Sequence, residues 1–335
     1  MSVVDDAIVE SSDTRPFVNS PEESEERRRM WWTLYIWDRH LALRYNSPLS
    51  IKDAESQDIL LPADDDVWVS SNSPSPRFDT IGNSRGSGPP SSITGNSIFG
   101  ILVPMMCIVG RIIDMHHVRR VERSSSNLVA DAYIATITQQ LNELAPSIAA
   151  LESNTTSGSA RSQDAIQHHH LLSCYARFLL HLLYALLEGS WDKLILFERG
   201  HESMQSVRFH ETLQRSLAAA DCVNDTLHLN PDLGFKAMFF GIFLYHGATL
   251  PWAVATNLRQ NTDAKVIAAC ETYVRAFEAS NCTYQTEYLR KMRKLLLLTL
   301  KEIRYGTPLS KMEQHLRKHV LRLYRWSGDG SGLGL

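Results

Sequence analysis

The sequence predicts an all-α protein: an irregular multi-helix globular domain of about eight to ten helices with two long disordered loops. Three observations predict it. Apolar residues recur at helical spacing in almost every apolar stretch. Capping signals stand where those stretches begin and end. No stretch sustains the two-residue alternation of a half-buried strand.

The chain is organised around residues 22–62. Ser20 can cap a helix, Pro21 suits its first position, and Glu23 completes a capping box. Glu22, Glu23, Glu25 and Glu26 stand where the helix dipole favours negative charge. The helix is expected over residues 22–45, with Trp31, Trp32, Tyr35, Asp38, Leu41, Ala42 and Tyr45 on one broad face. Each aromatic buried there contributes on the order of 2–3 kcal/mol, so that face is expected to be core. Asp38 interrupts it and needs a partner if buried. Arg39 is adjacent, but helix neighbours diverge, so the partner is expected from another helix. Asp38 reads either as half of a structural ion pair or as a carboxylate that touches a ligand.

Residues 1–20 are polar and expected to be disordered. Residues 63–97 are rich in Ser, Pro, Gly, Asn and Asp, and a mobile loop is expected there, with Trp68 and Val69 holding its start to the body. Residues 98–117 read as a helix broken at Pro104, with Arg111 and Asp114 spaced to pair. Residues 127–151 form the next helix, kinked near Pro146. A second mobile loop at 152–164 precedes a helix over 166–187 that stops at Gly189. Further helices are expected over 202–229, 236–259, 264–279 and 283–304. The segment 236–259 contains an uncharged run of about 20 residues, the length of a membrane span. Gly241, His246, Gly247 and Pro251 interrupt it, so a helix buried on all sides fits better and no membrane contact is expected. The last helix opens on a capping box of Ser310 and Glu313. Its Met312, Leu316, Val320 and Leu323 oppose Lys311, Arg317, Lys318 and Arg322, a basic face that is either solvated or open to a membrane, nucleic acid or an acidic partner. Residues 327–335 are a Gly-rich tail, which leaves 21–326 as one helical domain.

Composition narrows the function. A chain of 335 residues with 44% hydrophobic content can bury a large core, and its net charge of −3 is not that of a protein that binds nucleic acid by overall charge. Five scattered cysteines without a C-x-x-C pair disfavour a disulfide framework or a zinc module. His168, His169 and His170 point about 100° apart on a helix and cannot close around one ion. No phosphate-binding loop or nucleophile elbow occurs. Asp64, Asp65 and Asp66, followed much later by Asn224 and Asp225, resemble the magnesium motifs of helical terpene cyclases in order. Trp68 stands where a third spaced carboxylate belongs and His228 replaces a hydroxyl residue, so a magnesium enzyme is only the remote alternative. No catalytic residue, metal site or cofactor is assigned.

The run EERRRMWWTLYIWDRHLALRYNSPLSI, followed by DILLPADDDVW, resembles the middle homology region of fungal zinc-cluster transcription factors. Its specific elements are Arg28, Trp31, Trp32, Asp38, Arg39, Pro48 and Pro62. Later runs, among them FFGIFLYHGATL and LYRWSGDGSGLGL, look similar to the xylanolytic group of that family. The resemblance implies a nuclear regulator of plant-polysaccharide genes, not an enzyme, with Arg28, Trp31, Trp32, Asp38, Arg39 and His40 as a regulatory motif. It implies zinc and DNA contact only through a six-cysteine module that these residues lack. The chain then reads as the C-terminal portion of such a regulator, or as a relative without the module. The partners it implies are a small sugar inducer, co-regulator proteins or a second copy. Arg177, His181 and His246 are polar residues in apolar stretches and could meet sugar hydroxyls in a pocket; satisfied core groups are the alternative. A pure interaction or dimerisation module, or a truncated competitor, are the other readings of the chain.

Overall fold

The computed structural model describes residues 20–70, 86–93, 97–121, 128–156, 163–189, 196–197, 204–234, 240–283 and 286–323. Among them are ten α-helices: α1 (Pro21–Tyr45), α2 (Asp65–Ser70), α3 (Ile98–Val121), α4 (Leu128–Thr156), α5 (Gln163–Glu188), α6 (Val207–Leu229), α7 (Phe240–Leu258), α8 (Ala264–Thr283), α9 (Glu287–Tyr305) and α10 (Lys311–Leu323). Two 3-10 turns, Asp53–Ser56 and Arg259–Asn261, punctuate them. The one β feature among the described residues is an isolated bridge between Leu60 and Ser87. The all-α expectation holds.

Local chemistry sets the helix ends. The Ser20 hydroxyl accepts from the Glu23 amide, and the Glu23 carboxylate accepts from the Ser20 amide. α1 stops at Asn46, whose left-handed φ of 51° turns the chain back. Three internal prolines do not behave as stops. Pro104, Pro146 and Pro251 lie inside α3, α4 and α7. Each forfeits one helical hydrogen bond, but the burial of Val103, Met105 and Met106 around Pro104, and of Leu250 and Trp252 around Pro251, outweighs that loss.

Both expected loops are shorter than composition suggests. Residues 65–70 form α2, and residues 86–93 are tied down, with Gly88 donating to the Ile59 carbonyl and Ile93 to the Ser147 hydroxyl. Residues 152–156 complete α4, and 163–164 open α5. The rest of the two loops, the N-terminal 19 residues and the Gly-rich tail lie outside the described residues.

The helices enclose one continuous apolar core. α5 packs most extensively on α6; α3 lies against α1, α4 and α5; α8 is flanked by α6, α7 and α9; α10 rests on α9. α7 is buried on all sides from Ile242 to Ala255, as its uncharged sequence predicts. Trp252 is fully buried there, and its indole donates to the Thr299 hydroxyl of α9 at 2.9 Å. Among the described residues α3 and α5, not α7, are long and apolar enough to cross a membrane, but most of their residues are buried in this core.

Candidate functional site

One face of α1 carries a ladder of polar and aromatic side chains that grips the segment immediately following the helix. Glu25 begins it. Its fully buried carboxylate accepts from the Ala63 amide at 2.9 Å and pairs with Arg28 and Arg29. Arg29 reaches Asp65 at 2.8 Å and the Ala63 carbonyl at 2.9 Å, and its guanidinium lies over the rings of Trp68 and Phe99. Trp31 donates to the Ser56 hydroxyl, and Trp32 to the Leu60 carbonyl. Asp38 accepts from the Ser50 and Ile51 amides at 3.0 and 3.1 Å. The spacing of these residues follows the helix repeat, so one helix edge satisfies a loop along its length.

Arg39 sits at the centre, wholly buried. It donates to Asp53 at 2.8 Å, pairs with Asp38 at 3.3 Å, and stacks 3.3 Å from the Tyr35 ring centre. Asp53 also accepts from the Tyr35 hydroxyl at 2.7 Å and the Cys107 thiol at 3.3 Å, with Arg111 3.7 Å away. Gly110 makes room for this cluster, since a Cβ there would meet Leu49 at 3.0 Å and the Arg39 Nε at 3.4 Å.

The electrostatics describe a closed clamp. Burial pushes the Asp53 carboxyl up, but hydrogen bonds from Tyr35, Cys107 and Arg39, with the Arg39 charge, hold it below its usual range. Burial and Asp53 push the Cys107 thiol up to about 11, so it stays protonated and unreactive. Tyr35 is likewise raised by burial and stays neutral. His40, packed edge-on against Trp37 and Phe243, is driven down to about 3 by burial and then by Arg44.

This geometry corrects three expectations. Asp38 is bonded to loop amides and to its neighbour Arg39, whose long fork bends back to it, rather than to a residue of another helix. The buried face is also rotated: Glu25, Arg28, Trp32, Tyr35, Ile36, Arg39, His40, Ala42 and Leu43 are buried, while Leu41 and Tyr45 are exposed. Arg111 turns to Asp53, not to Asp114. The sequence places Glu25 only as a charge that complements the helix dipole, and it does not single out Arg29 or Asp53.

The second group is divided. Arg177 and His181 stand one turn apart on α5, where Arg177 pairs with Glu152 of α4 at 3.1 Å and approaches Asp225 of α6 at 4.0 Å. Burial, then Arg215 and Arg177, lower the basicity of His181. His246 lies in α7 with its ring edge-on to Tyr245. The magnesium-like motifs are held by separate arginines: Asp65 by Arg29, Asn224 by Arg275 and Asp225 by Arg177. Among the described residues no group of three or more His, Cys, Asp or Glu side chains could hold a metal ion.

Residues 7–144, which include the whole clamp, match the fungal specific transcription factor domain. The chain is 36% identical over 349 residues to the xylanolytic transcriptional activator xlnR of Aspergillus clavatus, an alignment covering 94% of this chain and 35% of the relative. Identity is 38% over 347 residues to the xlnR activator of Emericella nidulans, covering 94% and 38% respectively. With that of Aspergillus niger it is 35%, covering 94% and 36%. The chain thus spans little more than a third of the relatives it matches. No solved structure matches it.

Proposed function

We propose that the chain belongs to the fungal specific transcription factor domain family, whose model matches residues 7–144, and that it is the regulatory, effector-sensing region of a nuclear zinc-cluster regulator of xylan and plant-polysaccharide genes. Zinc and DNA contact belong to a module outside this region, and the effector is a small sugar. The observation that carries the reading is identity to xylanolytic activators along 94% of the chain. The structural support for a signal-handling role is one continuous apolar core that joins the aromatic residues of α1 to the other long helices. Such a body acts by shifting between two packings as a ligand favours one of them.

A chimera tests this. The corresponding segment of the Aspergillus niger activator is replaced by this chain, and a xylanase-promoter reporter is followed with and without xylose. Induction by xylose is expected. A folded, nuclear chimera whose output ignores the sugar overturns the reading.

One observation favours an interaction module as the second reading. Met30, Leu34, Leu41 and Tyr45 form an exposed apolar row along α1, opposite the clamp. Sedimentation of the chain at micromolar concentration separates the two. A dimer that dissociates when Leu34 and Leu41 become serine favours the module; a monomer favours sensing alone.

A further inference from the structure

A polar cleft of about 560 Å³ lies far along the chain from the α1 clamp. Its walls are the end of α7, the 3-10 turn Arg259–Asn261, the last turns of α9 and the segment that leads to α10. Its size falls within the range of small-molecule sites, about 300–1,000 Å³.

The lining selects a ligand class. Its only carboxylate, Glu302, is almost wholly buried and faces the Arg259 guanidinium at 3.6 Å, so the fixed charges oppose each other. The remaining polar side chains are the amides of Asn257, Gln260 and Asn261, which donate and accept alike. Hydroxyl groups have the same dual character. Leu258 and Pro308 offer small apolar faces of the kind that carbon–hydrogen edges of a sugar ring require.

The rim is held in a conformation that the chain does not adopt without cause. Arg259 has φ of 51°, in the left-handed region that a side chain such as arginine rarely occupies. The Thr262 amide and hydroxyl both donate to the Arg259 carbonyl and hold it there. Opposite, Gly306 has φ of 65°, and a Cβ on it would meet the Gln260 amide nitrogen at 2.7 Å. Gly306 and Pro308 of the cleft wall belong to the connection that runs straight into α10, the helix that rests on α9. Burial lowers the basicity of half-buried Arg317 of α10, and the Glu302 charge opposes that shift while the Arg259 charge adds to it.

We propose that this cleft is an effector site for a small neutral polyhydroxylated molecule of monosaccharide size, and that its occupancy tightens the docking of α10 through Glu302. The proposal rests on the sensing role given above and locates it. A ligand that bridges Gln260, Asn261 and Glu302 binds best when the α9–α10 connection is closed, and therefore favours the docked helix.

The test uses the full 335-residue chain, with xylose and arabinose as probes. Calorimetric titration is expected to give saturable binding, and Asn261→Leu and Gln260→Leu, both on the exposed rim, are each expected to weaken it about tenfold. Thermal unfolding of the two variants checks that they fold. Hydrogen exchange of residues 311–323 is expected to slow severalfold with xylose, and Arg317→Met is expected to abolish that slowing. Pentose binding undiminished in both rim variants overturns the cleft and leaves sensing intact. Absence of pentose binding to the folded chain overturns both. Inorganic phosphate that displaces xylose makes this an anion site and overturns the ligand class. Binding without a change in α10 exchange overturns the coupling.

Discussion

At the scale of single residues, Arg39 decides whether the clamp holds. It is fully buried, and its guanidinium serves Asp53, Asp38 and the Tyr35 face together. Removing one member of such a set leaves the other charge poorly solvated, which costs about 3 kcal/mol. Arg39→Ala is therefore expected to lower the unfolding free energy by that amount, read as a fall in the urea midpoint at an unchanged slope. Arg39→Lys is expected to recover little, because one ammonium cannot reach two carboxylates and stack on a ring. A lysine variant with wild-type stability would show that only the charge matters. Asp38 and Arg39 were legible in the sequence as charges on an apolar helix. Asp53 was not, because a loop aspartate carries no periodicity and only the fold brings it under α1.

At the scale of the element, α1 was legible nearly to the residue at both ends, because capping chemistry is local. Its inward face was not, because long polar side chains can be buried when a following loop satisfies them. α3 shows the same limit, for its Pro104 is tolerated inside a continuous helix only through packing that no local pattern displays. Burying α1 also makes stability depend on pH. The folded value of His40 is about 3, against an ordinary value near 6.5. The native chain therefore keeps His40 neutral while the unfolded chain takes up a proton as pH falls. The stabilisation is complete above about pH 6.5 and is lost as pH falls toward 3, at about 1.4 kcal/mol per pH unit. Depression of Asp53 acts in the same direction but only below its ordinary carboxylate range. His40→Gln is expected to flatten the fall in urea midpoint between pH 6 and pH 4, although His181, also lowered, keeps part of it. An unchanged slope would place the proton elsewhere.

At the scale of the whole molecule, the all-α class was legible because periodicity is distributed along the chain, whereas the arrangement of charge in space was not. The net charge of −3 hides an uneven distribution. Residues 287–323, which form α9 and α10, carry ten Lys and Arg against three Glu. Arg290, Lys294 and Lys301 of α9 and Lys311 and Arg322 of α10 are exposed, and each set recurs at helical spacing, so each helix turns a basic stripe outward. Lys294 and Lys301 act on Glu313 of α10, so the α9 stripe lies toward α10. The rest of the chain is correspondingly acidic. Exposed charges separated by more than about 10 Å are screened from one another at about 0.1 M salt, so a polyanion approaching this face meets a local positive field rather than the net charge. The chain is therefore expected to be retained on a heparin column at pH 7.5 and low salt, and to elute as salt rises. A variant carrying Lys294→Glu, Lys301→Glu and Lys311→Glu is expected to pass straight through while keeping the wild-type urea midpoint, since all three side chains lie outside the core. Retention of the variant equal to wild type would show that the field comes from another part of the surface, and flow-through of the wild type would show that the acidic remainder dominates at column distances.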